Sequence, residues 1–230
     1  MSTVVTQPLV AGQRLKREEF LRRWEAMPEV KLAELIGGVV YMPSPVSLTH
    51  GDHENLVNGW VANYAARTPG CGACSNTTWL MLEDAPQPDA ALRILPEYGG
   101  QSRVEGVYGA GAPELAAEVC LSSASYDLGP KLELYRAAGV QEYVAILLGE
   151  SRVLWLRLVE GQYVQLEAGA DGLLGSMIFP GLWLDPQALV DLHGARVLDA
   201  LDQGLKSPEH EEFVRVLGAQ RAARRPESRL

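Results

Sequence analysis

The chain has 230 residues, of which 47% are hydrophobic, so it can bury a core and is not expected to be disordered. It contains no run of about 18 apolar residues, so we expect no membrane-spanning helix. The formal charge is −9, and residues 31–203 alone hold nine basic and 21 acidic side chains, a charge of −12. This balance argues against an extended basic face for duplex DNA.

The N-terminus and the cysteines indicate the compartment. The first 20 residues show no basic start followed by a long apolar block, so we expect no secretory signal peptide. Three cysteines in a chain of this length do not describe a disulfide framework, and free thiols in a reducing environment are the simpler interpretation. We therefore expect a cytoplasmic protein without membrane association.

The first half of the chain shows two stretches of helical periodicity on either side of a predicted hairpin. Two apolar runs flank Gly37-Gly38, and a glycine pair between such runs is typical of a tight β-turn. Pro43 and Pro45 are expected to end the hairpin. The elements expected in this half are, in chain order, a helix over 15–27, the hairpin over 30–45, a helix over 49–67, a turn over 68–75 and strands over 77–83 and 89–95.

The second half predicts one buried strand, one helix and a group of strands. Glycine and proline over 95–113 indicate a long loop, and Gly139 is suited to end a helix. The other elements expected are a strand over 115–121, a helix over 128–138, strands over 142–148, 152–159 and 162–167, and helices over 185–193 and the last 30 residues. The pattern predicts an α/β (α+β) domain with a mixed sheet flanked by helices at 31–193, an N-terminal helical segment at 1–30 and a C-terminal helical tail at 194–230.

Two acids and a lysine stand out from this pattern. Glu118 lies inside the apolar strand "LAAEVCL", where a carboxylate costs several kcal/mol unless it is paired or binds a metal. A salt bridge with Lys131 and a metal site are both consistent with it. Asp89 begins the preceding strand in "PQPDAAL", and two carboxylates from neighbouring strands can hold one Mg²⁺ ion. Lys131, at the start of the following helix, would orient an attacking water or stabilise charge developing on a phosphate.

Several stretches resemble one known family when they are taken together. The sequence is similar to the Uma-two type restriction endonucleases, members of the PD-(D/E)XK nuclease superfamily. The similarity extends from about Glu34 to Asp185. It implies a restriction-endonuclease-like fold, with a central mixed sheet flanked by helices, and a divalent-metal phosphodiesterase site. The matching stretches are "AELIGGVVYMPSP", "PQPDAALRIL", "APELAAEVCLSSASYDLGPKLELYRAAGVQEYV" and "FPGLWLD".

The resemblance implies roles for individual residues. Asp89 matches the aspartate of the family motif and Glu118 its metal-binding acid. The lysine of the standard motif would stand at Cys120, whereas this family draws it from the following helix, where Lys131 matches. Glu34 matches a further acid on the early hairpin, and it would complete the catalytic site by assisting Asp89 and Glu118 at the metal.

The implied reaction is Mg²⁺- or Mn²⁺-dependent hydrolysis of phosphodiester bonds, with DNA as the expected substrate. The backbone carbonyl of Val119 is expected to join Asp89 and Glu118 in holding the metal. Because nucleases of this fold often act as dimers, a homodimer is one expected assembly.

Three other signals receive weaker interpretations. "CGAC" has the spacing of a zinc or redox pair at Cys71 and Cys74, but a structural zinc site needs two more ligands. "HGDHE" contains metal-binding residue types but more often forms a polar helix start, so we retain only His50, as a substrate contact. "SSAS" lacks the surroundings of a catalytic serine, and Ser123 is expected to contact phosphate or cap the helix.

A different class of function also fits the sequence. The nuclease fold would then be a catalytically silent scaffold for self-association or partner binding, with the acids in an internal ion-pair network. The −12 charge of residues 31–203 favours this alternative over DNA binding. Stabilisation of the folded protein by Mg²⁺ or Mn²⁺ would distinguish the two, since an ion that binds the native state must stabilise it.

Overall fold

The computed structural model describes residues 7–42, 45–121 and 123–224. The strands are β1 (Glu34–Ile36), β2 (Val39–Tyr41), β3 (Cys71–Cys74), β4 (Trp79–Leu80), β5 (Ala90–Ile94), β6 (Arg103–Glu105), β7 (Tyr108–Ala110), β8 (Leu115–Cys120), β9 (Glu142–Leu147), β10 (Arg152–Val159), β11 (Gln162–Gln165), β12 (Leu174–Gly175) and β13 (Trp183–Leu184). The α-helices are α1 (Arg17–Glu25), α2 (Leu48–Arg67), α3 (Ala124–Tyr126), α4 (Leu132–Ala138), α5 (Pro186–Val190), α6 (Gly194–Gly204) and α7 (Pro208–Arg224).

The largest sheet is mixed and has six strands in the order β11-β10-β9-β8-β5-β3. β8 and β9 pair in parallel, whereas the other neighbours pair antiparallel. A parallel pair requires a crossover, and the segment with α3 and α4 supplies it on one face of the sheet. The predicted central mixed sheet flanked by helices is therefore confirmed.

Alternate residues of β8 face two different apolar clusters. Leu115, Ala117 and Val119 pack into the cluster shared with α2, α5, α6 and α7. Ala116 and Cys120 pack into the cluster shared with α4. Since side chains alternate along a strand, Glu118 points to the α4 face. The fully buried central strand is covered on both faces, which explains its continuous apolar sequence.

The crossover from β8 to β9 contains a backbone irregularity just before α4. Residues Asp127–Lys131 form a π-type turn, and Gly129 breaks its helical geometry with φ −114° and ψ −109°. Lys131 is therefore the residue that immediately precedes α4 rather than a member of its first turn. Gly139 ends α4 in the left-handed region, with φ 87°, as its position in the sequence predicted.

The predicted hairpin at Gly37-Gly38 is confirmed as β1 and β2. Both glycines have positive φ, 58° and 70°, which a two-residue turn of the I′ type requires. The carboxylate of Asp84 accepts hydrogen bonds from both glycine N–H groups, at 2.8 and 3.0 Å. Pro43, predicted to end the hairpin, lies outside the described residues.

Two segments differ from the expected structure. The predicted turn over 68–75 contains β3, an edge strand of the main sheet that pairs with β5. Glycine and small side chains give this strand little intrinsic β-preference, so its pairing partner determines its conformation. The predicted loop over 95–113 contains the hairpin of β6 and β7, which joins β4 in a separate three-stranded sheet.

The terminal segments pack onto the central region. Phe20 of α1 is buried with Leu35 beneath the β1–β2 hairpin. Leu201 of α6 and Leu217 of α7 are buried in a cluster with strands of the main sheet. The boundaries proposed at 30 and 193 stay predictions.

None of the helices in the described part of the chain is long and apolar enough to cross a membrane.

Candidate active site

The sheet register brings Asp89 and Glu118 next to each other. Ala90 of β5 is opposite Ala117 of β8, so the residues one step further, Asp89 and Glu118, lie where the pairing of the two strands ends. The N–H of Val119 donates to Oδ2 of Asp89 at 2.7 Å. The aspartate side chain thus accepts the hydrogen bond that a longer β5 would have accepted through its backbone.

Lys131 joins this pair from the turn before α4. Its Nζ lies 2.8 Å from Oε1 of Glu118 and 2.9 Å from Oε1 of Glu34. It also donates to the carbonyl of Gln87 at 3.4 Å. The side chain is only 4% exposed, so the lysine is a buried charge held between two carboxylates.

Glu34 is held by groups from three parts of the chain. The N–H of Gln87 donates to Oε1 of Glu34 at 2.6 Å, and the hydroxyl of Tyr126 donates to Oε2 at 3.3 Å. The ammonium group of Lys131 supplies the third contact. The β1–β2 hairpin therefore contributes a fixed carboxylate to the group formed by the main sheet.

Tyr135 orients Glu118 from α4. Its hydroxyl donates to Oε1 of Glu118 at 2.8 Å, and the tyrosine is completely buried. Lys131 and Tyr135 thus both bind the same carboxylate oxygen. Both donors are therefore directed to one of the two oxygens of Glu118. Tyr135 was not predicted as a site residue, although its position one helical turn after Lys131 places both side chains on one face.

Glu34, Asp89, Glu118 and Lys131 open into one cavity of about 430 Å³. Polar groups form one part of its lining, and apolar side chains that include Leu32, Met42, Val46 and Leu121 form another. The polar residues that line it are Glu34, Tyr41, Ser47, His50, Glu54, Asn76, Gln87, Asp89, Glu118, Ser123, Tyr126, Asp127 and Lys131. Every side chain selected from the sequence as a candidate site residue therefore borders this cavity.

Burial and charge shift the pKa values of these groups. Burial raises the pKa of Asp89 from 3.8 to about 6, although Lys131 acts in the opposite direction. Burial also raises the pKa of Glu118 well above its usual range, against the effect of Lys131. Burial alone would lower the pKa of Lys131, but Glu118 and Glu34 outweigh it and the pKa lies well above its usual range. The ammonium form of Lys131 is therefore strongly favoured.

The oxygen atoms around Asp89 suit a hard divalent cation as ligands. The N–H and C=O groups of one strand residue point to the same side, which is why antiparallel pairs can exchange both hydrogen bonds. Because the N–H of Val119 points to Asp89, the Val119 carbonyl faces the same edge. Two carboxylates and a carbonyl match the oxygen ligands of Mg²⁺, and three acids against one lysine leave excess negative charge for a cation to compensate.

The "HGDHE" segment separates into two parts in the structure. His50 and Glu54 lie one turn apart on α2, with His50 Nε2 3.6 Å from a Glu54 oxygen and 3.9 Å from Asp89 Oδ2. Asp52 is exposed, and His53 is buried with its ring nitrogens 2.7 and 3.0 Å from the carbonyls of Thr49 and Val190. Glu54 was not predicted as a site residue, although its i,i+4 spacing from His50 was the available signal.

The cysteine pair of "CGAC" does not converge on one point. Cys71 and Cys74 lie at positions i and i+3 of β3, so their side chains point to opposite faces of the sheet. Cys71 belongs to the cluster that includes α2, and Cys74 packs against the cluster that includes α4. Two thiols on opposite faces cannot bind one zinc ion, so the structure removes the basis of the zinc interpretation.

The comparisons with known proteins agree with this architecture. The family model Uma2, described as "Putative restriction endonuclease", matches residues 17–187. A crystal structure from Anabaena variabilis, of a protein described as "a putative nuclease belonging to DUF820", is similar with a TM-score of 0.55 and 17% identity. The similarity covers 76% of this chain and 99% of that one, and it shows a shared fold. None of the curated proteins matches the chain significantly. The chain belongs to the Uma2 family.

Proposed function

We propose that this cavity is the active site of a divalent-metal-dependent nuclease that hydrolyses phosphodiester bonds of DNA. The observation that carries the proposal is the position of Lys131 between Glu118 and Glu34 in a cavity that also contains Asp89. A buried lysine beside several carboxylates can serve a phosphate reaction, because it offers positive charge where negative charge develops. The description of the Uma2 family supports the same class of reaction.

Asp89, Glu118 and the carbonyl of Val119 would hold the metal, with Mg²⁺ or Mn²⁺ as the ion. The chemistry that such an ion supplies when bound is polarisation of the phosphate and activation of a water molecule. Val119 N–H fixes the Asp89 carboxylate, and Tyr135 fixes that of Glu118. Preset side chains of this kind reduce the ordering cost of binding an ion.

Lys131 would stabilise the charge that develops on the phosphate, or orient the attacking water. Its high pKa keeps it protonated at neutral pH. Glu34 would hold the ammonium group in place through the 2.9 Å contact, while Gln87 and Tyr126 hold Glu34. Glu34 is thus proposed to position Lys131 rather than to bind the metal.

His50 and Ser123 border the same cavity and are proposed to contact the substrate. A homodimer and a cytoplasmic location belong to the same proposal. The dimer rests on the resemblance to nucleases of this fold, and the location rests on the three free cysteines. Sedimentation velocity of the purified protein, with and without Mg²⁺, tests the dimer. A monomer in both conditions would contradict that part of the proposal.

A plasmid-cleavage assay with Mg²⁺, Mn²⁺ or a chelator tests the function. We expect nicked or linear DNA only with the metal, and a loss of at least about a hundredfold in rate for Asp89→Asn and Lys131→Ala. Asp52→Asn and Lys206→Ala are matched controls, since they remove exposed charges elsewhere and should retain wild-type rates. Circular dichroism establishes that each variant is folded. Wild-type cleavage by a folded Asp89→Asn variant would contradict the proposed site.

The scaffold alternative is favoured by one observation. Lys131 already forms ion pairs with both Glu34 and Glu118, as an internal network of acids would require. Thermal unfolding in Mg²⁺ distinguishes the alternatives, because a bound ion stabilises the native state. A midpoint that rises with Mg²⁺ in wild type but not in Glu118→Gln supports the metal site. An unchanged midpoint in wild type favours the scaffold.

A further inference from the structure

One side of the active-site cavity carries apolar side chains that the proposed hydrolysis does not use. This apolar wall consists of Leu32, Met42, Pro45, Val46 and Leu121. Val46 is 58% exposed and Leu121 is 43% exposed, so part of the wall faces solvent. Exposed apolar side chains that border a polar pocket are typical of ligand sites, because the ligand covers them when it binds.

Two tyrosines line the same cavity beside the acids. Tyr41 and Tyr126 are half-buried, and the centroids of their rings lie 4.2 Å apart. Tyr41 is directly opposite Glu34 in the β1–β2 hairpin, and residues opposite each other in an antiparallel pair project to the same face. The hairpin that supplies the acid beside Lys131 therefore also supplies an aromatic ring.

The tyrosine pair is close to the charge that would meet the phosphate. Nζ of Lys131 lies 5.8 Å from the centre of the Tyr126 ring, and the Tyr126 hydroxyl donates to Glu34. Tyr41 packs against Tyr126. One sugar separates a base from its phosphate, so a nucleotide held at Lys131 would bring its base to these rings and to the apolar wall.

We propose that the apolar wall and the Tyr41–Tyr126 pair form a subsite for an unpaired nucleobase, so that the protein prefers single-stranded DNA to duplex DNA. The inference rests on the proposed function, because it takes the phosphate to lie at Lys131. A base inside a duplex is stacked on its neighbours and must leave the helix to enter a pocket, whereas an unpaired base enters at less cost. An aromatic ring can hold any base, since every base has a π-face.

The charge of the chain agrees with this preference. Residues 31–203 hold nine basic and 21 acidic side chains, a charge of −12, which argues against the extended basic face that duplex DNA requires. Stacking and apolar contact with a base add affinity without further phosphate contacts. An acidic protein with an aromatic, apolar pocket is therefore better suited to an unpaired strand.

The experiment compares the binding of three fluorescent ligands by anisotropy. Ca²⁺ replaces Mg²⁺ because it also takes oxygen ligands, and gel electrophoresis establishes that the strands stay intact. The ligands are a short single strand, the duplex of the same sequence, and a strand of equal length built of abasic nucleotides, which keep the phosphates and lack the bases. We expect wild type to bind the single strand at least about tenfold more tightly than either of the others.

Variants of Tyr41 locate the effect. Tyr41→Ala should weaken binding of the single strand by about tenfold and leave binding of the abasic strand unchanged. Tyr41→Phe keeps the ring and should bind like wild type. Tyr108→Ala is the matched control, since Tyr108 is a half-buried tyrosine on β7 that donates to Glu25, and it should also bind like wild type. Tyr126 is left intact because its hydroxyl also holds Glu34.

The outcomes separate this inference from the nuclease proposal. Binding that depends on the bases and is lost in Tyr41→Ala supports the subsite, whether or not the protein cleaves DNA in Mg²⁺. Wild type that binds the abasic strand or the duplex as tightly as the single strand overturns it, and so does the absence of binding to all three ligands.

The Tyr41→Ala variant can overturn the inference as well. Wild-type affinity of this variant for the single strand would show that the ring holds no base. An equal loss on the single strand and the abasic strand would show that the substitution disturbs the site as a whole. Metal-dependent cleavage of plasmid DNA by wild type in either case would leave the nuclease proposal standing.

Discussion

Nζ of Lys131 lies 2.8 Å from Oε1 of Glu118, and the two side chains are only 4% and 3% exposed. A charge pair this deeply buried gains much of its stability from mutual neutralisation, because either charge alone would be costly in the interior. Glu34 makes a second contact with the same ammonium group. The pair therefore connects the strand β8, the crossover before α4 and the β1–β2 hairpin.

The first prediction concerns this coupling. Lys131→Met should lower the free energy of unfolding of the metal-free protein by about 3–5 kcal/mol, since it leaves the buried Glu118 and the half-buried Glu34 without their partner. Lys131→Met combined with Glu118→Gln should cost less than the sum of the two single changes. Urea unfolding in the presence of a chelator gives the free energy of unfolding of wild type, the two single variants and the double variant. Strictly additive effects would contradict the coupling.

The second prediction is a pH dependence that comes from Asp89. Its pKa rises from 3.8 to about 6 on folding, so this carboxyl favours the folded state below pH 3.8 and loses that contribution as the pH rises through 6. Asp89→Asn should therefore stabilise the metal-free protein above pH 6, by up to about 3 kcal/mol. The difference from wild type should shrink as the pH falls below 6.

Thermal unfolding between pH 4 and 8 in a chelator tests this dependence, with pH values chosen on either side of the shifted pKa of about 6. Asparagine can still accept the hydrogen bond from Val119, so the substitution changes charge more than geometry. Mg²⁺ should reverse the order of stability at neutral pH by binding wild type alone. Equal stability of the two proteins at all pH values would contradict the account.

The third prediction concerns Tyr135. Tyr135→Phe removes the hydroxyl that donates to Glu118 and should weaken Mg²⁺ binding by about tenfold, because support for a metal ligand contributes to affinity on this scale. Tyr163→Phe is the matched control, since Tyr163 donates to the carbonyl of Val140 away from the cavity. Calorimetric titration compares the two variants. A similar affinity in both would show that Tyr135 has no special part in positioning Glu118.

The fourth prediction concerns a buried acid outside the cavity. Glu142 is fully buried and accepts hydrogen bonds from Ser176, Trp155 and the backbone N–H groups of Met177 and Ile178. Glu142→Ala should lower the free energy of unfolding by about 3 kcal/mol or more, because several buried donors lose their acceptor. At a temperature where the Glu142→Ala variant is folded, its Mg²⁺ affinity should equal that of wild type. A loss of Mg²⁺ binding would indicate that Glu142 acts on the site.

The sequence was most informative where a residue conflicts with its surroundings. Glu118 inside an apolar strand indicated a paired or metal-bound carboxylate, and the structure places it beside Lys131. The strands that carry Asp89 and Glu118 were also predicted to be neighbours, and they pair in the structure. These inferences depend on local pattern and on the cost of burying charge, and both can be read from one sequence.

Other parts of the site depend on tertiary contacts. His50 was retained only as a substrate contact and Glu54 was assigned no role, because their approach to Asp89 depends on how α2 packs against the sheet. β3 was predicted as a turn because its small residues carry little β-preference, and only its pairing with β5 makes it a strand. Gln87 gave no signal, since it binds Glu34 through its backbone N–H.

The most direct test of the central claim is a calorimetric titration of Mg²⁺ into wild type and into Glu118→Gln, with both shown to be folded. If the cavity holds a catalytic metal, wild type binds Mg²⁺ and the variant loses at least about tenfold in affinity, because a carboxylate ligand has become a neutral amide. Equal affinity in the two proteins, or no binding in wild type either alone or with a short DNA duplex present, would contradict the metal-dependent nuclease.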